Sequence, residues 1–373
     1  MKLLLSANTD WYLYNFRRDL AGYLRAQGLE VVMVSPPGPY AEKLQALGYR
    51  WLSWPVGRQT MNPLTEVTAL FRLARLYRAE KPTFVHHHTI KPALYGTVAA
   101  RWAGVPAIIN AITGRGYIFL GNDLTARLLR PLAHLFYGLA FASPNVIATF
   151  ENPTDREYFT THNLIPPARA RLIESVGVDP ARFHPHPEPD GVPVILMASR
   201  MLWDKGAGVL VEAARQLHAR VQVRVALAGA PDPGNPASIP AETLQQWHTE
   251  GVIEWWGFQE DMNTAYAKAH IATLPSNYGE GVPTSLIEAA ACGRPIVTTT
   301  IPGCQDFVTD GYNGFLVSPN DPNALAAALE KLVVDPSLRA SMGQAGRLRV
   351  LEKYTNELVN SATFAVYQEL IPL

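Results

Sequence analysis

Residues 275–297 read PSNYGEGVPTSLIEAAACGRPIV and carry two carboxylates eight positions apart. Glu280 lies in a glycine-rich loop, and Glu288 lies in an apolar run with helical spacing that begins at Pro283. Short apolar runs precede and follow this segment, so the stretch predicts strand, loop, helix and strand. The start of such a helix presents free backbone amides, which favour an anion and phosphate above all.

The same alternation of strand and helix extends along the whole chain of 373 residues. Strands are predicted at 2–6, 30–35, 50–54, 83–87, 107–111, 145–149, 171–174, 193–199, 221–228, 252–256, 271–275, 295–300 and 314–317. The proline-rich stretch HPHPEPDGVP (184–193) predicts a linker. The fold class is therefore α/β, with two doubly wound Rossmann-like domains, 1–185 and 186–354, that face each other across a cleft. The remaining segment, 355–373, is expected to form a helix that packs back toward the first domain.

The two acids of the opening stretch cannot reach one atom, because a helical path between them spans roughly 12 Å. They can reach opposite ends of an extended ligand whose phosphates lie on the helix N-terminus. Carboxylates accept hydrogen bonds from hydroxyl groups, and a sugar joined to a nucleoside through a diphosphate has hydroxyls at both ends. The alternative is that Glu280 and Glu288 only favour a helix start and a solvent-exposed face.

A second group of charged residues follows the first strand of the second domain, in SRMLWDKG (199–206). Arg200 and Lys205 lie in the loop that leads into the next helix. Two cations at the carboxyl end of a strand suit a diphosphate, Arg as a fork and Lys as a point charge.

Composition and charge limit the partners, the kinds of site and the location that can be expected for the chain. Lys+Arg and Asp+Glu balance at 32 each, but residues 1–183 hold 20 basic against 12 acidic side chains and residues 184–373 the reverse. This asymmetry suggests an anionic partner for the first half. Two cysteines do not make a disulfide framework or a metal site, and the first residues predict a strand, so a cytoplasmic location is expected.

Residues 275–317 resemble the signature of family-four retaining glycosyltransferases, which have the GT-B fold. The Glu-x7-Glu spacing, the EG-x-P loop, EA-x-A-x-G-x-P-x-V and the later NG-x-L-V all match. The loop at 199–206 matches the Arg…Lys-Gly element of the family, and GFQEDM (257–262) resembles the run before the signature. The first half, with HHHTIKPALYGTVAARWAGVPAII and TGRGYIF, is similar to the branch that elongates lipid-linked, capsular or exopolysaccharide glycans.

The resemblance implies a role for each matching residue. Glu280 is expected to contact hydroxyls of the donor sugar, and Glu288 those of the ribose. Arg200 and Lys205 are expected to neutralise the departing diphosphate. Further donor contacts are expected from Gly257, Phe258, Gly281, Val282, Pro283, Thr284 and Ser285. The chain contains no Asp-x-Asp, so a metal-independent reaction is expected, with no cofactor besides the nucleotide-sugar donor.

The first domain departs from the family pattern at two loops. Many relatives have a histidine where ITGRGY has Thr113, and a glycine-rich loop where this chain has NTDWYLYNF (8–16). His88 is the candidate substitute for a proton acceptor, with packing inside the strand as the alternative. The departing phosphate can also take the proton, which makes a protein base unnecessary. The candidates on the acceptor side are Asp10, Tyr14, Lys91, Thr113 and Arg115.

The resemblance implies a retaining transferase that moves a hexose or N-acetylhexosamine from a UDP-sugar to a glycan, expected to be linked to a polyprenyl diphosphate. A sugar-nucleotide 2-epimerase and a non-catalytic nucleotide-sugar binding protein are the alternatives. Nucleic acid is not expected as a partner. Residues 114–142 mix basic and apolar side chains, so this segment is expected to lie on an anionic membrane at its cytoplasmic face, unless its apolar residues belong to the core.

Overall fold

Each apolar, β-branched run of the sequence lies in one of two parallel sheets. Such runs are buried on both sides when helices cover a sheet. The computed structural model of the chain describes residues 1–57, 62–121 and 124–371. The chain divides into two units, Met1–Val176 together with Asn356–Leu373, and Gly177–Thr355. The predicted pair of doubly wound α/β domains is confirmed.

The described part of the first unit contains a seven-stranded parallel sheet in the order β3-β2-β1-β4-β5-β6-β7. The strands are β1 (Lys2–Ser6), β2 (Glu30–Ser35), β3 (Arg50–Ser53), β4 (Phe84–His88), β5 (Ala107–Ile112), β6 (Val146–Phe150) and β7 (Ala170–Leu172). The helices are α1 (Asp10–Tyr12), α2 (Arg18–Ala26), α3 (Pro39–Ala46), α4 (Pro63–Glu80), α5 (Thr97–Ala103), α6 (Tyr117–Leu120), α7 (Leu124–Phe141) and α8 (Pro153–Thr161). Short π-helical turns at Leu13–Arg17 and Pro92–Gly96 lie in the connections that follow β1 and β4.

The second unit is built on a six-stranded parallel sheet in the order β10-β9-β8-β11-β12-β13. Its strands are β8 (Val194–Ala198), β9 (Arg224–Ala228), β10 (Glu254–Gly257), β11 (Ile271–Leu274), β12 (Ile296–Thr299) and β13 (Gly314–Val317). Its helices are α9 (Ala207–His218), α10 (Ala241–Thr249), α11 (Met262–Ala267), α12 (Thr284–Ala291), α13 (Cys304–Phe307), α14 (Pro322–Val334) and α15 (Pro336–Lys353).

The strand order reverses once in each sheet, between β1 and β4 in the first unit and between β8 and β11 in the second. The loops after these neighbouring strands diverge to opposite sides of the sheet and leave a crevice at its carboxyl edge. Ligands of open α/β sheets bind at this point. The topology therefore places one candidate site in each unit.

The boundary between the units lies nine residues earlier than the predicted end of the first domain at 185. The amide of Val178 donates to the carbonyl of Tyr354 at 3.0 Å, so the chain joins the second unit before the proline-rich stretch. The guanidinium of Arg347 then binds the carbonyls of Pro180 at 3.1 Å and Phe183 at 2.7 Å. Residues 177–185 are thus part of the second unit.

The last helix, α16 (Asn356–Leu370), packs on the first unit. Tyr367 is fully buried beside Phe84, and its hydroxyl lies 2.7 Å from Nδ1 of His86. Arg171 and Glu369 form an ion pair at 2.6 Å near the end of the helix. Burial of one large apolar side chain contributes about 1.5–3 kcal/mol, so the aromatic contact contributes more than the exposed ion pair.

Candidate active site

The two loops that carry the predicted donor residues meet at the switch point of the second sheet. The loop at 199–206 follows β8 and the loop at 275–283 follows β11, and these strands pair in parallel from Ile195 with Ile271 to Met197 with Thr273. Residues more than 70 positions apart in the sequence are therefore neighbours at one edge of the sheet.

The ammonium group of Lys205 forms an ion pair with Oε2 of Glu280, which joins the two loops directly. Both side chains are only 19% exposed, so the pair is shielded from bulk solvent. Gly206 adopts φ 80°, and a Cβ atom at this position would lie 1.9 Å from the carbonyl oxygen of Pro275. Only glycine lets the loops approach closely enough for this ion pair.

Backbone and side-chain hydrogen bonds hold the glycine-rich loop in place. Ser276 and the amide of Asn277 both donate to the carbonyl of Asp204, at 3.1 and 3.0 Å. The amide side chain of Asn277 donates to Asn320 at 2.9 Å, which connects the loop to the residues after β13. Glu280 is thus carried by a loop that is fixed at several points.

Helix α12 starts at Thr284, one residue after its predicted start. Pro283 is the N-cap residue, and its carbonyl accepts from Leu286 at 3.0 Å and Ile287 at 3.4 Å. The amides of Thr284 and Ser285 precede these first bonds of the helix and have no acceptor within it. Free amides at a helix start favour an anion, so the prediction of an anion at this position stands as a prediction.

The second predicted carboxylate, Glu288, lies in the second turn of α12. Burial raises the pKa of Glu288 to about 7, and the positive charge of Arg182 offsets part of this shift. Tyr266 and Cys292 are close enough for the carboxylate charge to raise their own pKa values. Glu288 is therefore only about half ionised at neutral pH, a property that the spacing of the two acids does not reveal.

Arg200 forms an ion pair with Asp232, with Nη1 and Oδ2 2.5 Å apart. The arginine side chain is 47% exposed and the aspartate side chain 10%, so the guanidinium is held from one side and open on the other. Asp232 was not among the predicted site residues. Its signal in the sequence is the glycine- and proline-rich loop GAPDPGN (229–235) directly after the strand predicted at 221–228.

Gly229 brings this third loop against the first. It has φ 150°, and a Cβ atom there would lie 1.8 Å from the carbonyl oxygen of Ser199. The amide of Gly229 donates to the carbonyl of Gly257 at 2.8 Å, which places the end of β10 at the same edge. Phe258 follows with 57% exposure, while Val282 is 4% exposed and belongs to the core. The loop carbonyl of Gly281 packs against Gly303.

In the first unit, the prediction that His88 faces substrate is corrected. Its side chain is fully buried in β4, with its ring 4.0 Å from that of His86 and 5.8 Å from that of Tyr12. Burial lowers the pKa of His88 well below its usual value, and the charge of Arg17 adds to this effect. The ring is neutral and inaccessible, so His88 packs inside the strand, which is the alternative given in the sequence analysis for this residue.

Asp10 is also corrected, because it caps a helix. Its Oδ2 accepts from the amides of Tyr40 at 2.7 Å and Ala41 at 3.0 Å, in the first turn of α3. A Cβ atom at Gly38 would lie 2.4 Å from the same oxygen, so glycine is needed for this contact. A carboxylate that is 7% exposed and bound to helix amides is a structural group rather than an acceptor ligand.

Lys91 and Arg115 are engaged inside the first unit as well. The ammonium of Lys91 donates to the carbonyl of Gly57 at 2.7 Å and to Glu66 at 2.8 Å. Arg115 donates to Asp155 at 2.7 Å and lies over the ring of a neighbouring tyrosine. Both cations therefore hold loops in place, because their partners come from distant parts of the sequence.

The remaining acceptor-side candidates have less defined roles. The ring of Tyr14 packs 5.3 Å from that of Tyr40, with Arg18 and Lys43 over it. Thr113 is half-buried in the loop that follows β5. The first unit thus keeps these residues near the carboxyl ends of its strands without joining them into one site.

Comparison with known proteins identifies two family matches, one for each half of the chain. The model described as Glycosyl transferase 4-like matches residues 2–149, and the model described as Glycosyl transferases group 1 matches residues 192–335. The second match contains both loops of the donor site, 199–206 and 275–283. The predicted resemblance to family-four glycosyltransferases is confirmed.

Two curated relatives are similar over most of their length. The N,N'-diacetylbacillosaminyl-diphospho-undecaprenol alpha-1,3-N-acetylgalactosaminyltransferase of Campylobacter jejuni is 26% identical, over 96% of each chain. The GDP-mannose-dependent alpha-(1-6)-phosphatidylinositol monomannoside mannosyltransferase of Mycolicibacterium smegmatis is 29% identical, over 84% of this chain and 83% of that protein.

The crystal structure of Anabaena HepE in complex with UDP and glucose has a TM-score of 0.78 at 17% identity, over 99% of each chain. The shared fold confirms the predicted GT-B class.

Proposed function

Because the chain belongs to the group 1, GT4-like family of glycosyltransferases, we propose that it transfers a hexose or N-acetylhexosamine from a UDP-sugar to a lipid-linked glycan with retention of configuration. The ion pair between Lys205 and Glu280 carries this proposal. It holds a carboxylate for sugar hydroxyls and a cation for phosphate side by side, beside a helix N-terminus in the same unit.

Several groups at the switch point can bind the two charged oxygens of the donor's diphosphate. The ammonium of Lys205 has three donors, so it can keep Glu280 and still bind a phosphate oxygen. The guanidinium of Arg200 is open on the side away from Asp232. The amides of Thr284 and Ser285 complete a set of donors that exists before the ligand arrives, which is the arrangement that stabilises a developing charge best.

In the proposed reaction, the bond between the sugar C1 and the diphosphate oxygen breaks and UDP departs with the electron pair. The acceptor hydroxyl oxygen forms the new bond to C1 on the same face, and its proton passes to the departing phosphate. This route needs no protein base, which agrees with the burial of His88. We also propose that the reaction is metal-independent, since the cations and amides above can balance the charge of the diphosphate.

The nucleotide and the stereochemistry are supported by the relatives. The names of both curated relatives specify alpha linkages, and an α-linked donor that gives an α-linked product is a retaining reaction. UDP is the proposed nucleotide because the Anabaena structure holds UDP and the Campylobacter enzyme is an N-acetylgalactosaminyltransferase. The GDP-mannose dependence of the Mycolicibacterium relative makes GDP the competing candidate.

The proposed acceptor is a glycan on a polyprenyl diphosphate. The name of the Campylobacter relative, with which this chain aligns over 96% of its length, contains diphospho-undecaprenol. Such an acceptor is anchored in a bilayer, so the enzyme is proposed to work as a peripheral protein at the cytoplasmic face of the cell membrane.

The test is a transfer assay with radiolabelled UDP-GalNAc, UDP-GlcNAc, UDP-glucose, UDP-galactose and GDP-mannose, each with a synthetic polyprenyl-diphosphate-linked glycan. Transfer from one UDP-sugar, with an α-anomeric product by NMR, supports the proposal. Transfer only from GDP-mannose contradicts the nucleotide assignment. Release of a free 2-epimer, or binding without turnover, contradicts transferase activity. Glu280→Gln is the matched inactive control, because it keeps the shape of the side chain and removes its charge.

A further inference from the structure

Helix α7 is apolar on both of its sides. Its inner side, with Ala133, Tyr137 and Phe141, is buried in the first unit. Its outer side carries large apolar residues at spacings of three and four, which places them on one face, and each is between 47% and 71% exposed: Leu124, Leu128, Leu132, Leu135, Phe136 and Leu139. A helix that is hydrophobic all round is normally buried, so the outer side of α7 indicates a partner.

Helices α4 and α5 extend this surface. Both have their inner sides in the same core as α7, so all three lie on one side of the sheet. On the outside, Val67 is 50% exposed, and the exposed rings of Phe71 and Trp102 stack 5.6 Å apart. Arg101 of α5 donates to the carbonyl of Leu139, which ties α5 to α7. The outer sides of α4, α5 and α7 are called the apolar face below.

The charges around the apolar face are positive. Exposed arginines on the three helices are Arg72, Arg75, Arg78, Arg101 and Arg127. The acidic residues of the same described helices are Glu66 and Glu80, and both are bound to cations, Glu66 to Lys91 and Glu80 to Arg50. The surface therefore combines apolar side chains with a net positive charge.

Three residues of the basic segment predicted at 114–142 do not belong to this surface. Arg115 is bound to Asp155, and Arg130 donates to the carbonyl of Gly121 at 2.6 Å. Phe119 is 7% exposed and packs in the core, while the side chain of Tyr117 lies outside the described part of the structure. Within the segment predicted to lie on a membrane, α7 is therefore the part that contributes to the apolar face. The sequence did not predict the contributions of α4 and α5.

We propose that the apolar face docks the enzyme on an anionic lipid bilayer, with the α7 leucines and the Phe71–Trp102 pair in the interface and the arginines at the lipid headgroups. The proposal deepens the proposed function, since a polyprenyl-linked acceptor places the enzyme at such a surface. Among the described helices, none is long and apolar enough to cross a membrane. A surface of this composition favours a position in the plane of the interface.

Charge decides between a bilayer and a second copy of the chain. A symmetric dimer through the apolar face would bring the same arginines from both copies together, with no unpaired acid on the described helices to balance them. An anionic bilayer supplies the opposite charge. Each basic residue near such a surface strengthens binding by roughly fivefold at low salt, and the gain is lost as salt shortens the Debye length.

Vesicle co-sedimentation tests the proposal with the full chain. Vesicles of phosphatidylcholine with phosphatidylglycerol are compared with vesicles of phosphatidylcholine alone, at low and high salt. Wild type is expected to bind the anionic vesicles at low salt and to be released by high salt. Arg75→Glu with Arg127→Glu should weaken binding by about 600-fold at low salt, because each reversal removes one attractive charge and adds one repulsive charge. Leu128→Ser with Leu135→Ser should also weaken binding at low salt, because it removes apolar side chains from the interface.

Matched controls come from the second unit. Arg215→Glu is a charge reversal at an exposed helix position, and Leu348→Ser with Leu351→Ser removes two exposed leucines from α15. Neither should change vesicle binding. Transfer to a water-soluble acceptor analogue should be the same in wild type and in all these variants, which separates this proposal from the transferase assignment.

Two results would overturn the docking proposal. One is the absence of binding to anionic vesicles at low salt. The other is a wild-type dimer in light scattering that the Leu128 and Leu135 substitutions dissociate, since that result would assign the apolar face to a second copy. A protein that binds vesicles and transfers no sugar would contradict the proposed function and leave the docking surface intact.

Discussion

Binding of a UDP-sugar should release a proton from Glu288 near neutral pH. Burial beside Tyr266 and Cys292 raises the pKa of this carboxyl group to about 7, and the charge of Arg182 offsets only part of the increase. Ribose hydroxyls donate hydrogen bonds, and an ionised carboxylate accepts them with both oxygens. The bound ribose therefore favours the ionised form and lowers the pKa of Glu288.

The size of the effect follows from the raised pKa. At pH 7 the group is about half protonated, so binding that requires the carboxylate should release about 0.5 proton per ligand. The release should rise to about 0.9 at pH 6 and fall to about 0.03 at pH 8.5. The apparent affinity should be about tenfold lower at pH 6 than at pH 8, because only the ionised fraction is competent to bind. The loss thus occurs as the pH falls through the raised pKa.

Isothermal titration calorimetry in two buffers with different ionisation enthalpies measures the proton release. The ligand is an intact UDP-sugar, because the terminal phosphate of UDP itself titrates near pH 6. Glu288→Gln is the control, and it should abolish both the release and the dependence of affinity on pH. A wild-type release below about 0.1 proton at pH 7, or an uptake of protons, would refute the reasoning that Glu288 binds the ribose as a carboxylate.

The remaining predictions concern the donor sugar and its diphosphate. Glu280→Gln should lower turnover at least ~10²-fold while thermal unfolding shows an intact fold; near-normal turnover would remove Glu280 from the mechanism. Lys205→Ala and Arg200→Ala should weaken binding of UDP more than that of uridine in calorimetry, and equal losses would place them away from the phosphates. Asp232→Asn should lower the affinity for UDP by several-fold and leave that for uridine unchanged, because a neutral partner orients Arg200 less firmly; tighter UDP binding would mean that Asp232 holds Arg200 back. EDTA should leave transfer activity intact, whereas a loss restored by manganese or magnesium would contradict a metal-free reaction.

The sequence predicts the sheets well because their strands are continuous apolar runs. The strand predicted at 83–87 is observed at Phe84–His88, and that at 314–317 at Gly314–Val317. A larger error occurs at 221–228, where the strand begins only at Arg224. The amide of Val221 still donates to the carbonyl of Leu217, so the turn after α9 takes residues that have strand-like composition. Local hydrogen bonds at the end of a helix override the apolar pattern there.

The close approach of the predicted donor residues could be anticipated because most of their signal is local in the sequence. Glu280 and the free amides at the start of α12 lie within ten residues of each other in the sequence. The sheet topology then brings Lys205 to Glu280. The first unit lacks such a compact signal. Asp10 was misjudged because its partner amides lie 30 and 31 positions away. Lys91 likewise has a partner that the local sequence does not reveal, because Glu66 lies 25 positions away. A polar side chain at a strand end is equally compatible with binding a ligand and with binding a distant helix.

The two switch points differ in how their charged groups are held. In the first, Asp10 is bound to two helix amides and His88 is fully buried, so substrate could reach neither group without disrupting the fold. In the second, Arg200 keeps an exposed side chain beside its acid, and Lys205 has donors beyond the one that holds Glu280. Acids that hold cations in position without covering them keep the positive charge in place before a diphosphate arrives. Little reorganisation is then needed when charge develops on the leaving group, and that is the condition under which fixed charges lower a barrier most.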